Sequence, residues 1–381
     1  MDESVAIRVL GRLLAGLPAR SACAEATEWL AVARAGRFHG VLPLIHAGWS
    51  PDALIQATSG DFARACADEA RAVAALDLSQ RVATTGLLAR LSAAGVRPLL
   101  LKGAALAHTH YPSSALRPRS DLDLLVQEAE RPLCAAAFTA MGYQRVLQLP
   151  GHYVSHQESW KHPSPAGSVS VDLHWRVNNS PVLAGLMPYD ELAAESLSIP
   201  ALGPAARCPG PAQALLLAAL HREGSRDAPY HHAGWSIPGG DRLVWLVDFV
   251  RLLRLADPDQ RRQMAALIAA KGAQPLLSGV VLALQRWLPE LAADELPVLR
   301  SMAQGGTPER RLQRYVSAGP WARRILDFAA LGSWRVRAGF LAEQLYPPAD
   351  YLQARDPQDA GASRLVLALK RVVKRAIPRS G

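Results

Sequence analysis

Two carboxylates stand inside an aliphatic run, Asp121-Leu122-Asp123-Leu124-Leu125-Val126, which is bounded upstream by the polar stretch Arg117–Ser120. A short apolar run flanked in this way reads as a buried strand, and residues two apart on a strand share a face. Asp121 and Asp123 therefore converge on one spot, where like charges repel and desolvation is costly. A hard, oxygen-seeking divalent cation such as Mg2+ removes that cost. An isolated Asp-x-Asp is common at solvated strand ends, so its neighbours decide what this one is for.

Upstream, Pro98–Leu101 is a short apolar strand that ends at Lys102-Gly103. A glycine leaving a strand lets the backbone approach a phosphate, and the amides of the following helix can receive it. Lysine adds a point charge for phosphate. It is also scarce here, supplying five of the 42 basic residues. Arg117 and Arg119 stand just before the carboxylates, placed to meet a triphosphate or the substrate. Downstream, Ser168–Trp175 alternates polar and apolar, so Ser170, Asp172 and His174 share one strand face opposite Val171, Leu173 and Trp175. Asp172 is the third candidate carboxylate, although a strand with a solvated polar face gives the same alternation.

This order of motifs resembles the polymerase-β-like nucleotidyltransferase superfamily, and within it a branch of uncharacterised bacterial nucleotidyltransferases. Leu101-Lys102-Gly103, Tyr111, Arg117 and Asp121–Val126 match the branch's signature, and Val171–Trp175 is similar to its third motif. The similarity covers roughly residues 98–176. The arrangement also resembles nucleotidyltransferase toxins of abortive-infection and toxin–antitoxin systems. The resemblance implies a Mg2+-dependent enzyme, with Mn2+ able to substitute. It would move a nucleoside monophosphate from an NTP to a hydroxyl or similar acceptor and release pyrophosphate. The acceptor class stays open between small molecule, natural product, peptide, protein and RNA.

By the same resemblance Asp121, Asp123 and Asp172 are the catalytic and metal-binding residues, and Lys102, Gly103, Arg117 and Ser120 bind the nucleotide. Asp121 and Asp123 would hold metals, while Asp172 would hold a second metal or take the acceptor proton. One departure is Ala104, where the superfamily often has Gly or Ser; alanine supplies no hydroxyl for a phosphate. His221 followed by Trp245 and Asp248 resembles a downstream pattern of the family. Asp248 either lines the cleft or pairs with Arg251 at i+3, the second being favoured. The alternative class is an inactive protein of this fold that binds or regulates a partner. Intact carboxylates argue against it.

The 381 residues allow two or three domains. Half of them are hydrophobic and a fifth charged, as in an ordinary globular protein. No apolar run reaches the roughly 18 residues of a membrane span. The N-terminus lacks a signal-peptide layout, and Cys23, Cys66, Cys134 and Cys208 are widely spaced, which together point to buried thiols in the cytoplasm.

The expected class is α+β: a small mixed sheet with helices packed on it, flanked by helical N- and C-terminal regions. Its regions are 1–95 helical, 96–205 catalytic core, 206–305 helical and 306–381 basic and helical. The pattern predicts a helix over Asp61–Ala94 broken near Thr84–Gly86, strands near Tyr143–Leu149 and His152–Glu158, and a loop over Arg222–Gly240. The adjacent His231 and His232 lack a third soft ligand at helical spacing and are read as exposed.

The net charge of +9 is concentrated from Arg310 onward, where 14 Lys and Arg face five Asp and Glu. The terminal stretch RLVLALKRVVKRAIPRSG places Leu365, Leu369, Val372, Val373 and Ile377 near one helical face. It reads as a helix with a solvated basic face, as a surface for nucleic acid, or as a membrane-surface helix. Oligomeric state is not legible in the sequence.

Overall fold

The structure is a computed structural model that describes residues 2–23, 25–146, 153–164, 167–226, 230–232, 235–237 and 240–346, with a few isolated positions beyond. The chain opens with helices α1 (Glu3–Leu14), α2 (Ala26–His39), α3 (Leu42–Gly48), α4 (Pro51–Ala57) and α5 (Gly60–Ala93). Their starts follow local chemistry. Asp2 and Ser59 accept first-turn N–H groups of α1 and α5, and Glu25 and Glu28 form a reciprocal box at the start of α2.

Helix α5 runs 34 residues without the expected break, about 51 Å at 1.5 Å per residue. Thr84, Leu87, Leu88 and Leu91 are buried, so packing outweighs the poor helix propensity of Gly86. The helix joins two apolar cores. Phe62 and Cys66 belong to a large helical core, whereas Leu87, Leu88 and Leu91 belong to the core beneath the sheet.

That sheet is built from β1 (Leu99–Leu100), β2 (Asp121–Leu125), β3 (Gln144–Arg145), β4 (Gln157–Ser164) and β5 (Gly167–His174), in the order β1-β2-β5-β4-β3. The central pair β2–β5 is parallel and the other pairings are antiparallel. Helix α6 (Lys102–Thr109) follows β1, and α7 (Arg131–Ala140) follows β2. Alternation sorts the two faces: Leu122, Leu124, Val171 and Leu173 pack with Leu88 of α5 and Phe138 of α7. The opposite face carries Asp121, Asp123, Asp172 and His174.

Beyond the sheet come α8 (Pro181–Ala184), α9 (Tyr189–Ala194), α10 (Pro211–Ser225), α11 (Leu243–Leu255), α12 (Pro258–Ala270), α13 (Gln274–Trp287) and α14 (Glu295–Gln304). Then follow α15 (Arg310–Ser317), α16 (Pro320–Ala330) and α17 (Trp334–Leu345). The helical core draws on residues from Ala6 of α1 to Tyr315 of α15, so these distant helices share one interior.

Two expectations are corrected here. Helix α10 continues through Arg222 and Glu223, which were read as loop, because both are buried in ion pairs, with Asp241 at 2.6 Å and Arg323 at 2.6 Å. The same segment also contains a short antiparallel pair, Tyr230–His232 with Trp235–Ile237. The side chains of His231 and His232 lie outside the described residues, as do residues 147–152 and most of the basic stretch 364–381. Among the described residues no helix is long and apolar enough to cross a membrane.

Candidate active site

The parallel register of β2 and β5 sets Asp123 opposite Asp172 and Leu125 opposite His174. Ligand atoms of Asp123, Asp172 and His174 come within 4.8 Å of one another. His174 Nε2 lies 2.8 Å from Asp123 Oδ1, and the Lys102 ammonium donates to that oxygen at 2.6 Å. Asp172 is aimed by β4, accepting from the Ser159 hydroxyl and, at 3.2 Å, from the Gln157 amide. Asp121 stands one pleat away on the same face.

The charges are unequal. Burial and the neighbouring charges of Asp123 and Asp172 push Asp121 up to about 7. Burial alone would raise Asp123 too, but the Lys102 ammonium and the His174 hydrogen bond hold it well below the usual carboxylate range. Three carboxylates thus face one ammonium, a surplus of negative charge that suits a cation. Two carboxylate oxygens and an imidazole nitrogen form a donor set that fits a divalent metal, and the nitrogen makes Mn2+ as well suited as Mg2+.

Lys102 is the first residue of α6 and has φ +50°, the left-handed region that a non-glycine residue occupies at a cost. Gly103, by contrast, is needed for space: a Cβ there would lie 3.0 Å from Arg117 Nη1. Arg117 itself is locked by a fork to Asp248, Nε to Oδ1 at 2.9 Å and Nη2 to Oδ2 at 2.7 Å, while the Tyr111 hydroxyl donates to Oδ1 at 2.7 Å. The favoured pairing of Asp248 with Arg251 is therefore corrected. Asp248 points inward, and Arg251 instead lies over the Tyr111 ring. Arg119 pairs with Asp77 of α5 at 2.8 Å. Both guanidiniums hold the loop before β2 in place.

Lys102, Gly103, Arg117, Arg119, the three carboxylates and His174 line a cleft of about 340 Å3, together with Ser120, Asn178, His221, Arg242 and Trp245. Burial and the Lys102 charge push His221 down to about 3, so the imidazole in the wall is neutral. It packs edge-on against Trp245. A mostly apolar side pocket with Leu106, Ala214, Leu217 and Ala218 opens beside Lys102 and His221.

The model of a family described as uncharacterised nucleotidyltransferase matches residues 25–289, which hold the whole sheet and the cleft. The chain belongs to that family. Among curated proteins and among solved structures, no match to this chain is found.

For this nucleotidyltransferase, the structure brings Asp121, Asp123, Asp172, Lys102, Gly103, Arg117 and Ser120 to one cleft. Sequence reasoning passed over His174 as a ligand, although the alternation Ser170, Asp172, His174 already placed it beside Asp172. The Gln157 and Ser159 contacts to Asp172 had no local signal, since they depend on the register between β4 and β5.

Proposed function

We propose that this nucleotidyltransferase transfers a nucleoside monophosphate from an NTP to a hydroxyl or similar acceptor in a metal-dependent reaction that releases pyrophosphate. The observation behind this reading is the convergence of Asp123, Asp172 and His174, with Asp121 and Lys102, on one face of β2 and β5. Asp123, Asp172 and His174 would hold a divalent cation, with Asp121 beside it. Such an ion would supply charge to offset the phosphate oxygens and help orient a triphosphate for in-line attack.

The remaining work belongs to the chain. Lys102 would offer its ammonium to the phosphates, and the first amides of α6, whose start has no side-chain cap, would be available to them. Ser120 adds a hydroxyl at the rim. Arg117 acts by position, its charge already balanced by Asp248 and its bulk packed on Gly103. The apolar pocket beside Lys102 suits an uncharged part of the base or of the acceptor.

The test is calorimetry with ATP, CTP, GTP and UTP, each with Mg2+, with Mn2+ and with chelator, on wild type, Asp123→Asn, Asp172→Asn and His174→Ala. Binding of at least one nucleotide should require metal and weaken at least tenfold in each variant. Binding indifferent to chelator and to Asp123→Asn would overturn the site and return the chain to a binding or regulatory role.

A further inference from the structure

Helices α16 and α17 turn apolar side chains outward. On α16, Trp321 and Ile325 are 64% and 69% exposed, one turn apart. On α17, Trp334 is 73% exposed, and Ala338, Leu341 and Leu345 continue its stripe at helical spacing. These residues do not dock the helices. Phe328 and Phe340 join α16 to α17 with ring centroids 6.3 Å apart, and Arg323 anchors α16 through Glu223 of α10.

Among the described residues of α15–α17, every exposed charged side chain is basic. Arg310, Arg311, Arg314, Arg324 and Arg335 are exposed, and Arg324 and Arg335 lie over the rings of Trp321 and Trp334 at 4.9 and 5.7 Å. The acids between Arg310 and Tyr346 are Asp327 and Glu343, both partly buried. Asp327 accepts from Ser180, and Glu343 accepts from the amides of Tyr153 and Val154. These two helices lie beyond the family-matched segment, and none of their residues lines the cleft.

We propose that the α16–α17 face binds an anionic lipid surface, seating Trp321, Ile325, Trp334, Leu341 and Leu345 at the headgroup–acyl boundary while the exposed arginines meet lipid phosphates. Exposed apolar stripes rimmed by arginine and edged by tryptophan have the make-up of interfacial helices. A second copy would set arginine against arginine. RNA would engage the arginines and stack on the indoles, but it would leave Ile325, Leu341 and Leu345 in water.

The experiment is flotation of the full chain with phosphatidylcholine vesicles and with 3:1 phosphatidylcholine–phosphatidylglycerol vesicles. Two variants accompany wild type: Ile325→Glu with Leu341→Glu, and Arg324→Glu with Arg335→Glu. All positions are solvent-facing, and unchanged circular dichroism confirms the fold. Wild type should bind anionic vesicles at least tenfold better than neutral ones, and each double variant should lose at least fivefold.

Absence of anionic preference overturns the proposal. So does loss in the arginine variant alone, accompanied by poly(U) binding that the glutamates at 325 and 341 leave intact, which assigns the face to nucleic acid. A concentration-dependent dimer abolished by Ile325→Glu with Leu341→Glu overturns it in favour of self-association.

Discussion

Arg117 and Asp248 lie 131 residues apart, yet each is about 5% exposed and their fork is doubly bonded. A buried pair of this kind adds little net stability over a well-packed apolar pair, but breaking one half strands a charge in a low-dielectric interior, at about 3–5 kcal/mol. Asp248→Leu should therefore destabilise the protein by about that much, and Arg117→Met in the same background should restore most of the loss. A urea-denaturation double-mutant cycle checks it; equal, additive losses would show that the pair is not coupled. The sequence marked Arg117 but left Asp248 between lining the cleft and pairing with Arg251, with the second favoured. It could not show that they face each other, because local spacing offered Arg251 as the nearer partner and only the packing of α11 against the loop before β2 decides between them. His174 differs in kind: its place beside Asp172 followed from two-residue periodicity alone.

At the scale of elements, β2 and β5 were legible because their signal is local. A bounded apolar run marked β2, and alternation marked β5 with its two faces. Continuity was not legible. Gly86 lowers local helix propensity, so α5 read as two pieces, whereas burial of Thr84, Leu87 and Leu88 on either side keeps it whole. The helical glycine is then a weak point with space around it: an added Cβ meets only Met141 Cε, at 3.8 Å. Gly86→Ala should stabilise the protein by roughly 0.5–1 kcal/mol. Val82, 70% exposed one turn earlier, makes no core contact to lose. Val82→Pro should still cost about 3 kcal/mol or more by cutting the helix that links the two cores. Thermal melts of both variants check the signs, and a Val82→Pro melt that splits into two transitions would show that α5 couples the cores.

Across the whole molecule, that coupling also passes through buried neutral histidines. His39, at the end of α2, is 2% exposed, and its Nδ1 accepts the Leu243 amide at the start of α11, tying the first helices to the later ones. Burial, with the Arg242 charge beside it, pushes His39 down to about 3 from 6.5. Burial likewise pushes His156 down to about 4. The unfolded chain binds protons at these sites first, so stability is full above pH 6.5 and falls as pH drops toward the folded values. Each such group removes up to about 1.4 kcal/mol per pH unit within that window. Between pH 7 and pH 5, His39 alone should lower stability by about 2 kcal/mol, roughly 2–3 °C in Tm for a chain of this size. His39→Asn keeps an acceptor near the Leu243 amide and cannot titrate. Its Tm should fall less than that of wild type over the same pH change, by about that increment, and parallel pH profiles for the two proteins would show that His39 titrates alike folded and unfolded.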